Sequence, residues 1–283
     1  MPYFTTEDGT RLRYRTQGSG TPLICVPGGP GRSSDYFDDL GGLDRHHTLV
    51  LLDPRGTGGS AMPSDATTLA YPALAGDIEE LRRHLELDRI DLLGHSAGAV
   101  VTEVYAARHA KQVRRLVLVT PSVRLQAVTP DTSAVRAARF AEPWYPDAAQ
   151  AMAALDGITT LEEAAPLLDR VAPFFYGRWD DRARAHAAGY RAQVSLGAQV
   201  GYAAGPQMRD FDRVGVLATL LALGVPTLVV AGTLDGGSGV PGAEVVARSV
   251  AGAELAVLEG CGHYPWVDEP AAFVQVVADF LAR

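Results

Sequence analysis

A Gly-x-Ser-x-Gly turn, Gly94-His95-Ser96-Ala97-Gly98, constrains this chain more than any other stretch. An apolar run, Ile90-Asp91-Leu92-Leu93, enters it, and a helix-compatible run, Ala99 to Tyr105, leaves it. Strand, sharp turn and helix in that order put a serine at the apex. Such a turn holds its serine in a strained backbone conformation, and glycines two residues to either side let strand and helix approach closely. In a chain with 30 glycines the pentapeptide alone can arise as an ordinary tight turn. Its place between a strand and a helix is what makes Ser96 a candidate nucleophile.

The flanking pattern extends in both directions. Pro22 to Val26 and Thr48 to Leu52 are short continuous apolar runs, as expected of strands covered on both faces, and Leu12 to Thr16 reads as another strand. Leu74, Ile78, Leu81 and Leu85 recur at helical spacing behind Pro72, whose missing donor costs nothing in a first turn. Further strands are predicted at Arg114 to Thr120, Pro226 to Ala231 and Ala253 to Leu258. Helices are predicted over Val214 to Leu223, Gly242 to Ala251 and Pro270 to Leu281. This alternation predicts an α/β fold with a mainly parallel sheet. From Ser122 to Asp212 the rhythm lapses: strand patterns are absent, and helix-compatible stretches are broken at Pro130, Pro143, Pro146, Pro166 and Pro173. The expected organisation is a core of residues 1–121 and 213–283 interrupted by a helical cap over 122–212.

A neutral serine hydroxyl needs a base within hydrogen-bond reach and a third group to orient that base. Asp235, in Gly232-Thr233-Leu234-Asp235, follows one late strand, and His263, in Gly260-Cys261-Gly262-His263, follows the next. The order Ser, Asp, His is the one expected of a nucleophile elbow in an α/β sheet. Plainer roles exist: Asp235 as a turn former beside Gly236-Gly237, and His263 as a packed histidine among Tyr264, Pro265 and Trp266. The other histidines serve the role less well. His46, His47, His84, His109 and His186 fall in loop or helix contexts, and His95, within the elbow, is expected to shape the pocket or hydrogen-bond locally.

The oxyanion of acyl transfer needs preorganised donors. Ala97 supplies one backbone N–H, and the loop Pro27-Gly28-Gly29-Pro30-Gly31 supplies the other, with Gly29 the best placed of its three glycines. Asp53-Pro54-Arg55-Gly56-Thr57-Gly58-Gly59-Ser60 superficially resembles a phosphate-cradling loop but lacks the Lys-Ser/Thr ending, so it reads as a turn pinned by Asp53 and Arg55. Metal-ligand spacings such as His-Glu-x-x-His or Cys-x-x-Cys are absent, and no metal is expected.

Composition narrows the partners. A 47% hydrophobic chain of 283 residues can bury a sizeable core. A net charge of −8 without a basic, aromatic-laced cluster argues against nucleic acid. No apolar run reaches bilayer length and Met1 to Asp8 has no signal-like segment, so a cytoplasmic protein without a membrane partner is expected, with Cys25 and Cys261 as reduced thiols.

Taken with Gly28-Gly29-Pro30-Gly31, the Asp53 to Ser60 stretch and Gly262-His263-Tyr264-Pro265-Trp266-Val267, the whole chain resembles an α/β-hydrolase, and within that superfamily the proline iminopeptidase branch. The resemblance implies an eight-stranded, mostly parallel sheet under a helical cap, a Ser96, Asp235, His263 triad, and no cofactor. Two departures bear on substrate: Pro27 stands where the branch usually has histidine, and the elbow is Gly-His-Ser-Ala-Gly rather than Gly-Gly-Ser-Trp-Gly. Such aminopeptidases are expected to hold the substrate ammonium with cap carboxylates, for which Glu142, Glu162, Glu163 and several cap aspartates are available, although Ser195 to Met208 contains no acid.

The expected activity is therefore a serine hydrolase working through an acyl-enzyme on a small molecule or short peptide, first as a proline iminopeptidase-like amide hydrolase. The alternative is a carboxylesterase or lactonase for a hydrophobic small molecule. A non-catalytic small-molecule-binding protein of the same fold is a more distant reading. Epoxide or haloalkane hydrolysis through an aspartyl ester is disfavoured by the serine at the elbow.

Overall fold

Apolar strands that must be covered on both sides form the centre of the molecule. The computed structural model describes residues 2–158 and 161–283. Its strands are β1 (Tyr3–Thr5), β2 (Arg11–Gln17), β3 (Pro22–Val26), β4 (Thr48–Leu52), β5 (Ile90–His95), β6 (Val113–Val119), β7 (Thr227–Gly232) and β8 (Glu254–Leu258). They form an eight-stranded sheet in the order β1-β2-β4-β3-β5-β6-β7-β8. The β1–β2 and β2–β4 pairs are antiparallel, and every pair from β4 to β8 is parallel. The short edge strand β1 went unread in the sequence because three residues are too few to show a period.

Side chains alternate between the two faces of the sheet. Ile24, Leu92, Leu116 and Val229 turn toward helices α1 (Tyr71–His84) and α2 (Ala97–Arg108). Leu23, Leu93, Val117 and Val230 turn the other way, where Phe273 and Val277 of the closing helix Pro270–Ala282 cover them. Each such side chain contributes roughly 1.5–3 kcal/mol through burial.

Between β6 and β7 the described residues carry helices and no strand. This insertion is fastened to the loop after β3. Arg32 and Val194 form an isolated backbone bridge, Ser33 donates its N–H to Gln193 O at 2.8 Å, and Ser195 donates to Gly31 O at 2.8 Å. Trp144 and Tyr145 meet Phe174 edge-on in a small separate cluster with Ala148 and Ala151. Those aromatics join helices of the insertion to one another, while Phe140 is 74% exposed.

The Asp53 to Ser60 stretch is a structural turn. Asp53 accepts from the Ser34 N–H and hydroxyl at 2.9 and 2.7 Å and from the Gly59 N–H at 3.0 Å, and Arg55 is paired with Asp77 and Asp8.

One buried acid on α2 gives the fold a pH dependence. Glu103 is fully buried and accepts from Gln126 Nε2 at 2.8 Å, but its second oxygen has no hydrogen-bond partner among the described residues. Burial pushes its carboxyl up to about 8, only partly offset by the Gln126 bond. Between about pH 4.5 and 8 the folded chain thus holds a proton that the unfolded chain has released, so stability falls as pH rises through that window. Glu103→Gln removes this dependence. In thermal or urea melts its stability relative to wild type is expected to improve by at least ~1 kcal/mol between pH 5 and pH 8; a constant difference would show that Glu103 titrates normally.

Candidate active site

The sheet register brings the expected residues to one rim. Val26 pairs with Gly94, His95 with Val119, and Gly232 with Leu258, so the loops after β3, β5, β7 and β8 all open at the same edge. Ser96 sits between β5 and α2 with φ 52° and ψ −119°, a left-handed conformation that costs of order 1–3 kcal/mol outside glycine. Its N–H is held by Val119 O at 3.0 Å and its carbonyl by Ser122 N–H at 3.1 Å. A Cβ at Gly98 would lie 2.3 Å from Val26 O, so glycine is required for α2 to pack this closely on β3. A Cβ at Gly28 would lie 2.7 Å from that of Ser96, which shows how tightly the loop after β3 covers the elbow.

His263 and Asp235 meet directly. The imidazole Nδ1 lies 3.0 Å from Asp235 Oδ2, and both residues are buried. Asp235 also accepts from the Gly237 N–H at 2.8 Å and the Gly239 N–H at 3.1 Å. Burial by itself would raise this carboxyl, but the His263 charge and hydrogen bond and the two N–H groups outweigh it, holding the acid below the usual carboxylate range. An ionised Asp235 can only accept, so Nδ1 carries a proton, and in the neutral imidazole Nε2 is then the acceptor.

Ser96 and His263 both line a cavity of about 530 Å³. Among the described residues Ser96 Oγ has no hydrogen-bond partner. Gly29 lines the same cavity, and neither its N–H nor that of Ala97 has an acceptor among the described residues. Gly28 is differently employed: its N–H donates to Tyr36 Oη at 2.8 Å.

That bond begins a strut. His95 Nε2 lies 3.0 Å from the His263 carbonyl, which can only accept, so Nε2 carries the proton and Nδ1 accepts from the Tyr36 hydroxyl at 2.6 Å. Thr120 Oγ1 donates to the same carbonyl at 2.9 Å. Burial, reinforced by the neighbouring His263, holds His95 well below the ordinary imidazole range and keeps it neutral. The elbow histidine therefore ties the loop after β3, through Tyr36, to the loop carrying His263. His186, on the helix Asp181–Ala188, bonds Tyr176 Oη at 2.7 Å and Tyr36 O at 2.9 Å, and burial lowers it to about 4.

Nothing local marks Arg32, which lies in a Gly/Pro loop where arginines are usually solvated. Here it is 2% exposed and lines the cavity. Its Nε and Nη2 donate to Gln193 Oε1 at 3.0 and 2.7 Å, Nη1 donates to Tyr264 Oη at 3.2 Å, and the guanidinium lies 3.9 Å over the Tyr36 ring. Of the insertion's aromatics, Phe175, Tyr176, Trp179 and Tyr190 line the cavity, whereas Trp144, Tyr145 and Phe174 pack elsewhere. Glu142, Glu162 and Glu163 do not line it. Asp169 is the one acid at its wall among the described residues, and it pairs with Arg191.

Among the described residues no group of His, Cys, Asp and Glu could hold a metal ion, and both cysteines are buried and unpaired. No described helix is long and apolar enough to cross a membrane.

Known proteins share this architecture. The family described as "alpha/beta hydrolase fold" matches residues 21–270. A proline iminopeptidase of Heyndrickxia coagulans is 23% identical over 274 residues, covering 95% of this chain and 93% of its own. One from Saccharolobus solfataricus is 26% identical over 286 residues, covering 95% and 87%. Among solved structures, an esterase from Rhodococcus sp. ECU1013 superposes with a TM-score of 0.75 at 25% identity, covering 99% of this chain and 98% of its own.

Proposed function

The chain belongs to the α/β-hydrolase fold family, and from that premise we propose that it is a serine hydrolase that cleaves a carboxylic ester or lactone of a small molecule. Ser96 Oγ attacks the carbonyl carbon while His263 Nε2 takes its proton. Asp235 fixes the tautomer and balances the imidazolium, and the N–H groups of Gly29 and Ala97 receive the oxyanion. The C–O bond then breaks as the imidazolium returns the proton to the leaving alkoxide, and water, activated by the same imidazole, releases the acid from Ser96. The chemistry needs no cofactor. Residues 122–212 act in this reading as a cap over a core of 1–121 and 213–283.

The observation that carries the choice of ester over aminoacyl amide is the charge at the cavity wall. Arg32, Arg184 and Arg191 stand there against Asp169 alone among the described acids, and Asp169 is already paired. A substrate ammonium buried in such a site would have no counter-charge and would meet repulsion. Apolar lining by Leu168, Ala172, Phe175, Trp179 and Ala187 supports a carbon-rich ligand. The second reading, an aminopeptidase-like amide hydrolase, is favoured by the near full-length similarity to proline iminopeptidases.

Two esters that differ by one ammonium separate the readings. In steady-state kinetics 1-naphthyl propanoate is expected to exceed 1-naphthyl alaninate in kcat/KM by at least ~10-fold, with prolyl naphthylamide left intact. Preference for the alanyl ester together with naphthylamide cleavage would establish the aminopeptidase instead.

A further inference from the structure

Arg32 points to the substrate class. A guanidinium has five N–H donors, and here three contacts reach neutral acceptors, two to Gln193 Oε1 and one to Tyr264 Oη, with Tyr36 stacked beneath. Two donors remain, and no carboxylate among the described residues lies within ion-pair distance. The other arginines of the cavity differ. Arg191 is paired with Asp169, and Arg184 with Asp181 and the Trp179 carbonyl. Buried charge without a counter-ion is costly, and a neutral amide oxygen and a phenol relieve only part of that cost.

We infer that the cavity takes a substrate bearing a carboxylate, received by Arg32, alongside the ester or lactone carbonyl presented to Ser96. The planar fork of the guanidinium suits two parallel bonds to a carboxylate. Tyr36 links the two subsites: its ring supports Arg32, and its hydroxyl bonds His95, next to the nucleophile. Gln193 holds Arg32 without neutralising it. A carboxylate in its place would close the site to an anion. This inference rests on the hydrolase reading for what is cleaved but not for what is bound. A purely structural alternative exists, in which Arg32 merely fastens the loop after β3 to Gln193 of the insertion; that role would be indifferent to ligand charge.

Calorimetric titration of the wild-type protein with succinate, glutarate and adipate, each beside its neutral diamide, tests the assignment. One carboxylate of each acid mimics the hydrolysis product and the other reaches for Arg32. At least one of the three acids is expected to bind ten or more times tighter than its diamide. Arg32→Gln is expected to abolish the preference, and Arg32→Lys to restore part of it, each variant being checked for an unchanged circular dichroism spectrum. Equal binding of acids and diamides by wild type would overturn the proposal, whatever the variants do. So would an acid preference that survives in a folded Arg32→Gln protein. Fluorophosphonate labelling of Ser96 reads the hydrolase proposal separately. Labelling without acid preference removes only the anion site, and acid preference without labelling removes only the hydrolase.

Discussion

Replacing Ser96 by alanine is expected to lower kcat on an activated ester by ~10⁴- to 10⁶-fold, and to abolish fluorophosphonate labelling. The fold should hardly notice. Ser96 Oγ has no hydrogen-bond partner among the described residues, and alanine meets the same left-handed φ of 52° that serine already tolerates, so stability should stay within ~1 kcal/mol of wild type. Large loss of rate with an unchanged melt separates a nucleophile from a structural turn residue. Activity within tenfold of wild type would mean that the elbow only joins β5 to α2.

Asp235→Asn carries the second large expectation, a fall in kcat of ~10³- to 10⁴-fold. Both carboxylate oxygens accept: Oδ1 from the Gly237 N–H, and Oδ2 from the Gly239 N–H and His263. An asparagine has one oxygen for these three donors. If its oxygen faces Gly237, its NH₂ faces the imidazole and forces the proton onto Nε2, where the nucleophile needs an acceptor. If its oxygen faces His263, the NH₂ meets the Gly237 N–H and the loop is disturbed. Either way the substitution removes the charge that balances an imidazolium. Rates measured on the variant across pH 6–9 check this, and a loss smaller than tenfold would reduce Asp235 to a turn former.

The two expectations differ in how they could be read beforehand. Ser96 was legible because its signal is local: five consecutive residues between an apolar run and a helical run. Asp235 and His263 could be picked only because alternation of strand and helix tells which loops share an edge. The register then decides that they meet. The same alternation located β2 to β8 and their helices within a few residues. It failed at β1, and it was silent over the insertion, where some aromatics reach the cavity (Phe175, Tyr176, Trp179, Tyr190) and others form a separate cluster (Trp144, Tyr145, Phe174) with nothing in their spacing to tell them apart. His95 is expected to shape the pocket or to hydrogen-bond locally, and it does line the cavity. Its hydrogen bonds are not local: they reach Tyr36, 59 residues before it, and the His263 carbonyl, 168 residues after it.

By itself the amino-acid sequence determined the elbow, the parallel sheet and the order of the chemistry-bearing loops, because strand periodicity, turn sterics and backbone donors are properties of neighbours along the chain. Only the tertiary structure decided the charge of the cavity. Arg32 owes its buried state to Gln193, 161 residues away, and to Tyr264, 232 residues away. Whether an arginine is solvated or enclosed without a counter-ion depends on what packs around it from distant parts of the chain, and no local pattern records that.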